Sequence, residues 1–251
     1  VTDYLLLLVA GFLGGMLNAV AGGGTFIVFP ALVFTGVPVV MANATSTVAA
    51  LPGYLAAALG FRHEIARIPR DIVLRLTLWT LLGGALGSAL LLVSSNEAFS
   101  AIVPFLLLAA TLIFLAGPQL RAFASRFRNG VTAFGAGTMV PVALYGGYFN
   151  GGLGIVLLAL FSLWGMTDIH SMNGLKTWLS FALSTISLGI FAWGGQIAWL
   201  PCLILAVGAI IGGLAGAPVA RLMSVGVLRG LIAVVGFGMT ALFFWRLING
   251  A

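Results

Sequence analysis

Charge is what this chain most lacks. Eleven basic and five acidic residues make up only 6% of its 251 positions, while 61% are hydrophobic. A soluble domain carries about 25% charged residues. With a mean hydropathy of +1.19, water could not solvate such a surface, and the chain belongs in a bilayer. The net charge of +6 therefore does not point to nucleic acid. The arginines stand between apolar segments, where they set topology and meet lipid headgroups. Cysteine is almost absent: Cys202 stands alone in an apolar run and reads as a buried, inert thiol, with no disulfide and no cysteine metal site. There is no H-E-x-x-H zinc helix and no P-loop, so no metal, no cofactor and no ATP-driven pumping within the chain are expected. The first apolar run passes into motif-bearing sequence instead of a cleavage site, which argues against a secretory signal peptide.

Glycine, by contrast, is abundant, and its pattern is written twice. Gly14-Gly15-Met16-Leu17-Asn18 returns as Gly146-Gly147-Tyr148-Phe149-Asn150, and Asn43-Ala44-Thr45-Ser46-Thr47 returns as Asn173-Gly174-Leu175-Lys176-Thr177. Leu59-Gly60 returns as Leu188-Gly189, and Gly83-Gly84-Ala85-Leu86-Gly87 as Gly212-Gly213-Leu214-Ala215-Gly216. All four echoes keep their order at an offset of about 130 residues, too long for a solenoid repeat. They divide the chain into a first transmembrane repeat (1–120), a basic cytoplasmic linker (121–130) and a second transmembrane repeat (131–251).

Apolar segments run at about 4–20, 25–36, 43–60, 72–93 and 97–117, then at about 131–149, 152–165, 170–194, 197–220 and 226–248. A helix needs about 20 residues to cross roughly 30 Å of hydrocarbon. The second segment of each set falls short and reads either as a half-helix or as a short crossing. Arginines at 62, 67 and 70, at 121, 126 and 128, and at 221 and 229 mark the cytoplasmic side, while the Ser94–Glu97 and Gly194–Gln196 turns lack basic residues and fall outside. Arg246, near the outer end, disagrees. The connection after the third segment is inside in the first half and outside in the second. The expected fold is thus an all-α integral membrane protein of two inverted-topology repeats. Each has about four to five helices, broken or short at the pseudo-symmetric centre, and both termini are periplasmic.

Irregular backbone deep in a membrane survives only when buried in protein or lining a cavity. Gly22, Gly23, Gly24 and Thr25 form one such break, and Asn150, Gly151, Gly152, Leu153 and Gly154 its partner. If Thr25 and Ile155 open new helices, their first N–H groups carry the positive dipole end, and two such ends facing one another would hold an anion. The alternative is close helix packing through small residues, the expected role of Gly83, Gly84, Gly87, Gly212, Gly213 and Gly216. Asn43 reads as an N-cap with the hydroxyls of Thr45, Ser46 and Thr47 in the first turns, either bonded back to the helix or facing a solute. Asn173 and Thr177 are their counterparts. Lys176, the sole lysine, lies inside an apolar segment, where a cation is costly and a functional candidate, snorkelling being the bland alternative. Asp168 and His170 just before it could pair with it, relay protons, or cap the segment.

Gly11 to Thr25, Pro30-Ala31-Leu32 and Asn43-Ala44-Thr45-Ser46 together resemble the sulfite exporter TauE/SafE family, also described as toluene-sulfonate uptake permeases, and the resemblance covers essentially the whole chain. It implies a bacterial inner-membrane transporter of sulfur-containing anions such as sulfite, sulfoacetate or other organosulfonates. The residues allow an anion site without singling out sulfur. The expected lining is Asn18, Gly22–Thr25, Asn43, Thr45, Ser46 and Thr47, with Asn150, Gly151, Gly152, Asn173, Lys176 and Thr177 opposite. Access would alternate by rocking of the halves, coupled to a proton or sodium or to neither. A passive anion channel on the same helix ends is the alternative. An intramembrane enzyme comes behind it, since no G-x-S-G pattern supports Ser46 and His170 as nucleophile and base. Oligomeric state is not encoded in any motif.

Overall fold

The computed structural model describes residues 2–20, 23–116, 119, 122–123, 133–222 and 225–249. Gly22, Arg121, Arg126, Arg128 and most of the linker therefore lie outside the described residues, as do the side chains of Arg221 and Arg229 and the surroundings of Gly216. Twelve helices are described: α1 (Thr2–Val20), α2 (Thr25–Phe34), α3 (Val39–Ala49), α4 (Leu51–Gly60), α5 (Arg62–Ile65), α6 (Arg70–Val93), α7 (Asn96–Leu115), α8 (Ala136–Tyr148), α9 (Leu153–Leu163), α10 (Ile169–Trp193), α11 (Trp199–Leu222) and α12 (Val225–Asn249). The protein is all-α among the described residues.

Among the described residues, four spans are long and apolar enough to cross a membrane: Val39–Gly60, Arg70–Val93, Asn96–Ile113 and Ile169–Trp193. Leu74, Leu78, Leu82, Leu86 and Leu90 form a stripe down α6 that is 47–62% exposed. Lipid accepts a stripe of this kind and water does not. At a rise of 1.5 Å per residue, α2 and α9 reach only about 15 Å, half a bilayer, because Gly36 and Gly165 stop them. Both glycines have positive φ, 84° and 88°. In both turns the next residue's N–H reaches back five residues, from Val37 to the Leu32 carbonyl and from Met166 to Phe161, the 6→1 bond of a helix C-cap.

Two helix starts differ from expectation. Asn43 is not a cap. Helix α3 begins four residues earlier, after Pro38, because Val39-Val40-Met41 are apolar and Pro38 supplies the fixed φ of a helix entrance. Asn173 also lies inside its helix, α10, but that helix opens at Ile169 behind the Asp168 cap, where the segment was expected. In the second break the helix starts at Leu153, not Ile155.

The packing is reciprocal. Helix α1 lies along α11, α8 lies along α6, and α7 meets α12. Lipid tails are as apolar as leucine, so close van der Waals approach drives such pairings. A Cβ on Gly11 or Gly15 would land on the Leu205 or Ala209 carbonyl, and one on Gly208 or Gly212 on that of Leu8 or Phe12. The other pair repeats the device: Gly83 and Gly87 sit against Val140 and Leu144, and Gly147 against Gly84. Gly213, expected to pack, has nothing within 4 Å of a built Cβ.

Candidate functional site

Helices α3 and α4 form one span with a kink at Ala50. Pro52 has no N–H to return to Val48, and the backbone re-forms only at Tyr54, whose N–H reaches the Ala50 carbonyl at 3.0 Å. A cavity of about 340 Å³ opens at this kink, at the lower end of the roughly 300–1,000 Å³ of small-molecule sites. It runs from Asn18 and Ala50 to Gly60 and Phe61 at the arginine-bearing end of α4, with Ala209, Ile210, Gly213 and Leu214 of α11 as the far wall. Its polar side chains are Asn18, Tyr54 and Thr177. A gap of about 10 Å³, sharing Gly15, Asn18, Ala50 and Ala209 with the cavity, leads on to Gly24, Thr25 and Ser46. A single water needs about that volume.

The first break is held by its own asparagine. Asn18 Oδ1 accepts the Gly24 N–H at 2.9 Å, and helix α2 then starts with N–H groups of Ile27 and Val28 on the Gly24 carbonyl. Gly24 is pressed between the Gly14 carbonyl and Asn18. The second break is built differently. Helix α8 stops at Tyr148, two residues short of Asn150, whereas α1 continues two residues past Asn18. The Tyr145 hydroxyl donates to the Gly151 carbonyl, Gly152 turns the chain with φ 73°, and Asn150 is 2% exposed with no hydrogen-bond partner on either amide atom. Its polar neighbour is the Tyr54 side chain, which lines the cavity from the other side.

The hydroxyls of the Asn-Ala-Thr-Ser step mostly turn back on their own helix. Ser46 and Thr47 donate to the Asn43 carbonyl at 2.8 and 3.0 Å, and Thr177 to the Gly174 and Asn173 carbonyls. Thr45 accepts the Ala198 N–H at 3.0 Å and so pins the turn before α11. Asn43 Nδ2 donates to the Tyr148 carbonyl at 2.8 Å, tying α3 to the end of α8 and leaving Oδ1 unpaired. Lys176 is 3% exposed, and its ammonium donates to Asn173 Oδ1 at 2.9 Å. Asp168 is exposed at the start of α10. Its carboxylate accepts from the Ser171 hydroxyl and from the N–H groups of His170 and Ser171, and these bonds, the Ser171 hydroxyl first, hold it below the usual carboxylate range.

Of the residues expected in the site, Asn18, Gly24, Thr25, Ser46 and Thr177 line these openings. Gly23, Asn43, Thr45, Thr47, Asn150, Gly151, Gly152, Asn173 and Lys176 are not among the walls, and Gly22 is not described. Tyr54, Gly53 and the α11 face were missed. Tyr54 stands 11 residues after Asn43, three helical turns on and so on the same face. That spacing was the available signal.

The end of the bundle opposite Arg62 and Arg70 is filled by rings, with Arg246 beside Asn96 and Glu97 at that same end. Phe29 of α2, Phe99 of α7 and Phe149 are fully buried. Phe29 meets Phe149 edge-on at 6.0 Å and stacks on Phe243 at 6.1 Å, and Phe99 meets Tyr148 at 5.5 Å. No group of three or more metal-binding side chains exists among the described residues.

The family model described as "Sulfite exporter TauE/SafE" matches residues 7–243. A "Probable membrane transporter protein" of Haemophilus influenzae is 33% identical over 94% of this chain and 92% of the relative. "Probable membrane transporter protein ORF9" of Sinorhizobium sp is 26% identical over 93% and 89%. "Probable membrane transporter protein YfcA" of Escherichia coli strain K12 is 26% identical over 94% and 87%. No solved structure matches. These descriptions are of membrane transporters, not of enzymes.

Proposed function

This chain belongs to the sulfite exporter TauE/SafE family of membrane transporters, and on that premise we propose that it is a secondary transporter of small sulfur-containing anions. Sulfite, sulfoacetate or related organosulfonates would cross the bacterial inner membrane by alternating access around a mid-membrane site. The observation that carries this reading is the cavity at the α3–α4 kink. Its polar contacts are an amide, a phenol and a threonine, and its inner end reaches the start of α2. These are neutral donors and a helix dipole, which suit a singly charged, oxygen-rich group. The buried Asn150 amide behind Tyr54 offers two further donors to a solute that displaces the phenol. Lys176, one residue before Thr177, supplies the positive charge.

The two halves, 1–120 and 131–251 joined by the cytoplasmic linker 121–130, are read as inverted repeats. The reciprocal pairing of α1 with α11 and of α8 with α6 supports this. With the arginines inside, the cavity faces the cytoplasm, both termini are periplasmic, and the phenylalanine layer is the closed outer gate. That layer favours a transporter over a channel, which needs one continuous passage. Asn43, Thr45, Thr47, Asn173, Gly151 and Gly152 then serve the site by holding its frame or by joining it in the opposite state. Asp168 and His170 are the candidates for coupling to a proton, and a sodium-coupled cycle would bypass them.

The test is saturable counterflow in proteoliposomes together with ligand-dependent melting. A native-state ligand at a hundred times its Kd raises stability by about 2.7 kcal/mol. Sulfoacetate or sulfite is expected to raise the melting temperature where matched carboxylates do so less. Asn18→Ala and Lys176→Met are each expected to abolish the shift while the protein still elutes as a folded peak. An unchanged shift in the double variant rejects this site, and unitary currents without counterflow reject the transporter.

A further inference from the structure

A second cavity, separate from the proposed site, lies on the outside of the bundle. It has a volume of about 420 Å³ and sits between α4, α5, α6 and α10. Its walls include Leu55 and Leu59 of α4, Ile65 of α5, Val73 and Leu74 of α6, and Trp178 of α10. Two groups in it could have asked for a polar guest, and both are already satisfied. Trp178 Nε1 donates to Thr77 Oγ1 at 2.9 Å, and Thr77 Oγ1 donates to the Val73 carbonyl at 2.7 Å. What is left of the wall is hydrocarbon.

The mouth is the opposite. Arg62 and Arg70 line it, both exposed. Each stands at the start of a helix on the short connector that ends the α4 span, which places them at headgroup depth. Among the described residues the one ion pair is Arg75–Asp71 at 3.4 Å, so neither guanidinium at the mouth is neutralised by a carboxylate. Leu74 also begins the exposed stripe of α6, so a chain lying in the groove would run on into the bilayer.

We propose that this groove is a binding site for one anionic diacyl phospholipid, with its phosphate clamped by Arg62 and Arg70 and an acyl chain laid along Leu59, Leu74 and Trp178. A free anion would meet the arginines but waste the apolar wall. A zwitterionic lipid would fill the wall but set its cationic group against the same two guanidinia. Only a molecule with a net negative head and a long apolar tail uses both.

Trp178 is a reporter already in place. The intact protein is placed in nanodiscs of phosphatidylcholine carrying a small fraction of brominated-chain phosphatidylglycerol or, in parallel, brominated-chain phosphatidylcholine. The Trp178 signal is taken as the difference between the wild type and Trp178→Phe. The brominated anionic lipid is expected to quench this signal at about tenfold lower mole fraction than the zwitterionic one, given two basic contacts at the surface. Arg62→Gln with Arg70→Gln, both exposed and outside the core, is expected to erase the preference. Ala66→Phe, which fills the groove, is expected to reduce quenching by both lipids. Equal quenching by the two lipids in the wild type, or a preference that survives loss of both arginines, overturns the proposal. So does protection of the signal by water-soluble glycerophosphoglycerol, which would show that the head alone suffices. Sulfonate-induced melting shifts are read at the other cavity, so either result stands apart from the fate of the transport site.

Discussion

Asn18 and Asn150 occupy the same place in two copies of one motif, and they do different things. Asn18 is still helical, spends its carbonyl on Gly24 and faces an open cavity. Asn150 has left its helix, keeps a side-chain amide with no close hydrogen bond and is buried beside Tyr54 and a layer of rings. Each break therefore solves its backbone problem with a different residue, Asn18 in one and Tyr145 in the other. On the proposed alternating-access cycle, a transporter at rest in one state is unequal in this way. If the halves exchange roles, the idle asparagine is the one waiting for the opposite state.

Access should separate the two breaks most sharply. In a Cys202→Ala background, Gly53→Cys in the cavity wall is expected to react with a charged thiol reagent about a hundredfold faster than Ile155→Cys behind the second break. Equal rates would erase the contrast. Stability comes next. Gly24→Ala drives a Cβ into the Gly14 carbonyl and is expected to cost about 2–3 kcal/mol. Gly152→Ala meets only ordinary contacts near Ala110 and carries just its left-handed backbone, about 1 kcal/mol. Melting in detergent orders the two. The asparagines themselves follow: Asn18→Leu orphans the Gly24 N–H at about 1–3 kcal/mol, whereas Asn150→Leu loses no bond and is expected to be neutral or slightly stabilising.

The smallest contrast lies at the helix starts. Helix α10 is capped by a carboxylate and α3 by Pro38, which offers no side-chain acceptor. The folded protein holds Asp168 below its ordinary pKa, so its contribution is complete above the usual carboxylate range and is lost as pH falls through the lowered value. Amide exchange at His170 and Ser171 is expected to be insensitive to Asp168 protonation between pH 5 and pH 8, to quicken in strong acid, and to be uniformly faster in Asp168→Ala.

The helices were legible because apolar runs, glycine stops and prolines fix them locally, as at Gly36 and Gly165. The start of α3 was misjudged because an asparagine inside a helix and one at its cap look alike when the preceding residues are apolar, whereas α10 opens at Ile169 behind Asp168, where the segment was expected. The first-half side of the cavity was legible through Asn18 and the glycine break. The α11 wall was not, since it consists of what is missing. Gly212 and Gly213 are neighbours in sequence, yet one is pressed onto the Phe12 carbonyl and the other faces empty space. No periodicity distinguishes a glycine that admits a helix from one that leaves room.

The glycine seam between α1 and α11 also has a consequence for biosynthesis. At roughly 5–20 residues per second, the segment that covers Gly11 leaves the ribosome about 10–40 s after Gly11 itself. During that interval the first helix stands in the membrane with its notched face unclaimed, and any second copy or stray helix with a matching notch is a competitor. Correct assembly of the seam is thus a race that α1 must wait out until α11 arrives.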